Sequence, residues 1–132
     1  MPLDGARLSL DDASLPARVL IVDDAPVFRE VARELLERRG YTVVGEADSA
    51  ASAIDAVAQL APDAVLVDIR LPDGDGFELS AALTRTHPEL AVLLASADRI
   101  PPSPARVQAC GARGFVLKSR LVAADLTQFW PS

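Results

Sequence analysis

Arg18-Val-Leu-Ile-Val-Asp23 opens the regular part of the chain. Four apolar residues in a row, closed by an acid, lack the alternation of a strand with one wet face. They read as a strand buried on both faces. A helix is predicted next, with Pro26 in its first turn and Gly40 closing it. Val27, Phe28, Val31, Leu35 and Leu36 make its apolar face, and Arg29, Glu30, Arg33, Glu34, Glu37 and Arg38 occupy the other. A doubly buried strand followed by an amphipathic helix is the repeating unit of a parallel sheet.

The unit recurs. The pattern predicts a second strand over Tyr41–Glu46 and a helix over Ala50–Leu60, capped by Asp48 or Ser49, with Ile54, Val57 and Leu60 turned inward. A third strand, Ala64-Val-Leu-Val-Asp68, leads to a helix over Phe77–Thr86. A fourth, Leu90–Ser96, leads to a short helix that begins at Ser103-Pro104 and stops at Gly111. A fifth, Gly114–Leu117, leads to a last helix over Leu121–Phe129. Parallel strands need crossover connections, so five βα units predict an α/β fold with helices on both faces of one sheet. The expected architecture is flavodoxin-like and doubly wound, with strand order 2-1-3-4-5 and its switch point between strands 1 and 3.

Composition agrees with one globular unit. The chain has 132 residues, half of them apolar and 24% charged, outside the disordered regime. Residues 1–16 are rich in Asp, Ser, Gly and Pro without a clean period, and read as a flexible arm before a domain over residues 17–130. The net charge of −6 argues against direct nucleic-acid or acidic-membrane binding. No apolar run is long enough to span a bilayer, and no leader-like N-terminus is evident. With one cysteine, Cys110, read as a buried small hydrophobe, the expectation is a cytoplasmic setting.

The polar residues that interrupt the apolar pattern share one address. Asp23 and Asp24 end strand 1, Asp68 ends strand 3, Ser96 ends strand 4, and Lys118 ends strand 5. Carboxyl ends of parallel strands lie along one edge, where open α/β folds bind ligands. Each residue alone has an ordinary reading: a helix cap, a loop acid, a turn hydroxyl, a solvated ammonium. Together they place three carboxylates, a hydroxyl and one cation around a single pocket. Crowded carboxylates repel unless a cation intervenes, and an oxygen-rich site of this kind suits Mg²⁺. With two cations and a hydroxyl donor available, a carboxylate can serve as nucleophile toward a phosphoryl group.

Val19-Leu-Ile-Val-Asp-Asp24, Val65-Leu-Val-Asp-Ile-Arg-Leu-Pro-Asp-Gly-Asp-Gly76, Leu93-Leu-Ala-Ser-Ala97 and Gly114-Phe-Val-Leu-Lys118 resemble, in order and spacing, the sequence blocks of two-component response-regulator receivers. The resemblance runs from about Arg18 to Phe129, and Gly111–Lys118 is most similar to receivers that precede helix-turn-helix output domains. It implies that Asp68 accepts a phosphoryl group from a sensor histidine kinase or phosphotransfer protein. It implies a Mg²⁺ site formed by Asp23, Asp24, Asp68 and the Arg70 backbone carbonyl. Ser96 and Lys118 would engage phosphoryl oxygens, and Phe115 would be the aromatic that turns inward as Ser96 moves. The switching face would combine helix 4, strand 5 and helix 5, and would bind a downstream protein partner. The molecule would be a signalling protein rather than an enzyme, limited to its own phosphorylation and dephosphorylation.

Three features depart from the family pattern. Ser119 stands where proline is common and disfavours a cis bond. Asp98-Arg-Ile-Pro-Pro-Ser-Pro104 delays the fourth helix. Fourteen residues follow Lys118, and Trp130-Pro-Ser132 reads as a natural stop. One expectation lies outside the resemblance: Arg70 and Asp98, two residues past Asp68 and Ser96, pair across the pocket mouth and slow water's approach. Phe129 and Trp130 read either as core or as a homodimer contact through the last helix. The competing functions are the receiver part of a transcription regulator, a phosphate-independent binding module, and an aspartate-nucleophile phosphatase. The last needs a second acid where Arg70 stands.

Overall fold

A computed structural model describes residues 17–131, so the arm expected over residues 1–16 lies outside the described residues. Strands β1 (Arg18–Val22), β2 (Thr42–Ala47), β3 (Ala64–Asp68), β4 (Ala91–Ser96) and β5 (Gly114–Leu117) form one parallel sheet in the order β2-β1-β3-β4-β5. Helices α1 (Pro26–Arg38), α2 (Ala50–Leu60), α3 (Gly76–Thr86) and α4 (Pro104–Ala109) connect them. Two-residue strands at Arg70–Leu71 and Gly74–Asp75 pair antiparallel in the loop after β3. Strand order and fold class are those expected from the sequence.

The period of two divides the core into two layers. Val19 and Ile21 face one side, with Leu66, Leu93, Ala32, Leu36 and Trp130. Leu20 and Val22 face the other, with Val65, Val67, Ala53, Val57, Leu79 and Leu83. Both faces of β1, β3 and β4 are sealed, which explains why these strands carry no alternation.

Two helix faces differ from expectation. On α1, Val27 and Val31 are 73% and 55% exposed, while Ala32 and Leu36 are fully buried. At 3.6 residues per turn, Phe28, Ala32, Leu35 and Leu36 form one stripe, and the two valines fall outside it. On α2, Ile54 is half exposed because Ala53 and Val57, four residues apart, take the inward positions. Small alanines let both helices approach the sheet closely, so they displace larger residues from the buried stripe. Ser49, not Asp48, caps α2, through a reciprocal bond with Ser52.

The expected helix over Leu121–Phe129 does not form. Two 3₁₀ segments, Lys118–Ala123 and Leu126–Gln128, take its place. Arg39, at the end of α1, donates to the carbonyls of Val122 and Ala124, which removes them as acceptors for a continuing α-helix. Asp125 then starts the second segment by accepting from the Thr127 amide and hydroxyl. Trp130 anchors the end at 3% exposure, its ring edge-on to Tyr41 at 5.5 Å. Trp130 and Phe129 are thus core and cover residues.

Candidate functional site

The carboxyl ends of β1, β3, β4 and β5 bring the expected side chains to one edge. Asp23 and Asp68 are 1% and 7% exposed, whereas Asp24 faces solvent. One carboxylate oxygen from each of the three lies within 4.8 Å of the others. Lys118, the only lysine in the sequence, reaches in from the end of β5. Its Nζ stands 2.6 Å from Asp23 Oδ2 and 3.2 Å from Asp68 Oδ2.

Backbone contacts hold these groups still. Asp23 Oδ1 accepts from the Ala25 amide at 2.8 Å, fixing the turn into α1. Asp68 Oδ1 accepts from the Arg70 amide at 3.1 Å, fixing the turn after β3. Asp73 accepts from the amides of Ala50 and Ala51, which ties that loop to the N-terminus of α2. Gly76 begins α3 directly over the Asp68–Ile69 backbone, where a Cβ would meet Asp68 O at 2.6 Å. Neither Asp73 nor Gly76 was singled out from the sequence, although both lie in the run Leu71–Gly76.

Ser96 is 1% exposed, one residue beyond Ala95, the β4 partner of Asp68. Its Oγ accepts from the Asp98 amide at 3.0 Å. Asp98 in turn pairs with Arg70, Nη2 to Oδ2 at 2.6 Å, so the expected ion pair forms between the loops after β3 and β4. Phe115 on β5 is half-buried and packs against the layer that contains α2, α3 and α4.

Burial pushes the Asp68 carboxyl above its ordinary range; the Arg70 amide and Lys118 oppose this, and the Asp23 charge adds to it. Burial alone would lower the Lys118 ammonium, but contact with Asp23 and the charge of Asp68 outweigh it and hold it above the usual lysine range. A carboxylate poorly solvated in this way is a better nucleophile.

The donor set fits a divalent cation. Asp23 Oδ2 is fully buried, and its polar partner among the described residues is the Lys118 ammonium at 2.6 Å. Three carboxylates against one ammonium leave a net negative, oxygen-only cluster, the chemistry that Mg²⁺ takes. Cavity size does not mark the site: a cavity of about 470 Å³ lined by Asp63, His87, Glu89 and Arg113 lies at the opposite ends of the strands.

The family model of the response regulator receiver domain matches residues 19–128. The chain belongs to the response regulator receiver family. As a receiver it is a signalling protein of the two-component kind, acting through phosphorylation. It is 36% identical to response regulator GacA of Pseudomonas viridiflava over 102 residues, 76% of this chain and 48% of GacA. It is 38% identical over 103 residues to the transcription regulator BvgA of Bordetella pertussis, again 76% of this chain and 48% of that one. The receiver therefore spans about half the length of the curated relatives it matches. Among solved structures it resembles a LuxR-family response regulator from Aurantimonas sp. SI85-9A1, with 34% identity and a TM-score of 0.77, over 86% of this chain and 81% of that one. It also resembles the non-phosphorylated receiver domain of RcsB from Escherichia coli, with 26% identity and a TM-score of 0.74, over 86% and 88%. The naming of BvgA as a transcription regulator does not fit the expectation, drawn from charge, of no direct nucleic-acid contact. No helix among the described residues is long and apolar enough to cross a membrane.

Proposed function

We propose that residues 17–130 of this receiver take a phosphoryl group onto Asp68, from a sensor histidine kinase or phosphotransfer protein, and change protein-partner binding in response. The observation that supports this most is the Lys118 ammonium held between the buried carboxylates of Asp23 and Asp68. An Asp68 oxygen forms a bond to phosphorus as the donor's P–N bond breaks, and the leaving imidazole keeps the electron pair. Lys118 then exchanges its Asp68 contact for a phosphoryl oxygen. Asp23, Asp24, Asp68 and the Arg70 carbonyl would hold Mg²⁺, which when bound neutralises charge on the phosphoryl oxygens.

Ser96 links this chemistry to the surface. Its Oγ accepts from the Asp98 amide while its O–H is left to donate, so a hydroxyl drawn toward the phosphoryl group pulls on the turn to Asp98 and the loop into α4 follows. Phosphorylation adds strong acceptors at one point, and Phe115 moves into the space that Ser96 leaves. The responding face is then α4, β5 and the 3₁₀ segments, which stand where a fifth helix was expected.

Incubation with Mg²⁺ and a small phosphodonor tests the reading by mass. Wild type should gain one phosphoryl group, and Asp68→Ala none. Equal labelling of both, or none of wild type, would refute it.

A further inference from the structure

Phe28 lies on α1, five residues beyond Asp23, half-buried with one side against the core. Its ring face is turned to the site: the Lys118 Nζ stands 4.3 Å from the ring centroid. We propose that Phe28 is a positioning residue for phosphoryl transfer, its ring holding the Lys118 ammonium against Asp23 and Asp68 by a cation–π contact. The inference rests on the roles given above to Asp68 and Lys118.

Every other side chain in the sequence that is cationic at neutral pH is arginine. Lysine at this one place supplies a compact, three-donor charge, at the cost of a flexible and strongly hydrated stem. The Lys118 side chain is still 17% exposed, so a path into water is open to it. Two of its neighbours are carboxylates that also belong to the cation-binding cluster, so their pull on Lys118 would be shared. One of them, Asp68, loses its negative oxygen to phosphorus during transfer. The ring is the neighbour that no other cation competes for and no bond consumes. It acts by raising the fraction of molecules with the ammonium in place, and the transfer rate scales with that fraction. The helix turn that carries the ring is tied down by the next residue: Arg29 donates to the Asp23 carbonyl at 2.7 Å and pairs with Glu46 at 3.0 Å.

A space-filling role would be met by any apolar side chain of similar size, which sets the test. Phe28→Leu keeps apolar contact and removes the ring face; Phe28→Tyr keeps the face. Because Lys118 is the only lysine, NMR of the full chain labelled with ¹³C-lysine gives one side-chain set. Its ε-methylene protons should lie upfield of free lysine in wild type and Phe28→Tyr, and return to the free-lysine position in Phe28→Leu. Phosphorylation by acetyl phosphate with excess Mg²⁺, followed by mass, should be about three- to tenfold slower in Phe28→Leu. Phe28→Tyr should restore the wild-type rate. A free-lysine shift in wild type overturns the proposal whether or not Phe28→Leu folds. So does wild-type-rate labelling of a folded Phe28→Leu. Absence of labelling in wild type itself would instead refute the role of Asp68, on which the proposal depends.

Discussion

Replacing Asp68 with asparagine should stabilise the metal-free protein. Asp68 is 7% exposed, and burial is the main cause of its raised carboxyl pKa. At an effective dielectric near 20, Lys118 at 3.2 Å contributes about 5 kcal/mol of attraction. A second carboxylate within 4.8 Å takes back about 3.5 kcal/mol. The remainder, about 2 kcal/mol, stands against a desolvation penalty of several kcal/mol for a buried ion. Asparagine keeps the shape and an oxygen for the Arg70 amide, and carries no charge to desolvate. Asp68→Asn should therefore gain about 1–2 kcal/mol near neutral pH, or roughly 4–8 °C in Tm. The sign with pH follows from linkage. A carboxyl whose folded pKa lies above its ordinary 3.8 binds protons more readily in the folded state, so wild-type stability falls as pH rises through that window. The advantage of the variant should grow from acid toward neutral pH and vanish below 3.8. Thermal melts in EDTA across this range measure it. A variant no more stable than wild type at neutral pH, or an advantage that grows toward acid, would refute the reasoning.

Three further outcomes are expected. Arg70→Ala opens the ion pair with Asp98 at the mouth of the site and should shorten the half-life of the phosphorylated form, followed by mass after the donor is removed; an unchanged half-life would sink the gate. Arg39→Ala frees the carbonyls of Val122 and Ala124 and should cost about 1–2 kcal/mol, with faster amide exchange at Ala124 and Trp130 than at the β3 amides. Gly76→Ala would bring a Cβ to 2.6 Å from Asp68 O and 2.7 Å from Ile69 Cα. Because both are backbone atoms, it should cost about 1–3 kcal/mol in denaturant unfolding and slow phosphorylation as well.

The sheet was legible because its signal is redundant. Continuous apolar runs, each ended by a polar residue, mark β1, β3 and β4, and sequence order in a parallel sheet then fixes which ends share an edge. Ala64–Asp68 and Gly114–Leu117 were read to the residue. The helix faces were less legible because apolar count is a poor guide to burial. Ala32 and Ala53 are fully buried while Val27, Val31 and Ile54 are not, since close approach of a helix to a sheet favours the smaller side chain.

What the sequence concealed depends on contacts between residues far apart along the chain. The last helix was predicted from local propensity, yet Arg39 holds carbonyls more than eighty residues away and turns the segment into 3₁₀ structure. No periodicity within Leu121–Phe129 records that competition. The same limit applies at the site. Asp23, Asp68, Ser96 and Lys118 were visible because each ends a strand, and strand ends converge by topology. Phe28 was visible only as one apolar position among five, because its second role needs the ammonium of Lys118, ninety residues on, to arrive over its ring. Strand-end chemistry is written in sequence order, whereas the groups that orient it become evident only when the fold brings distant side chains together.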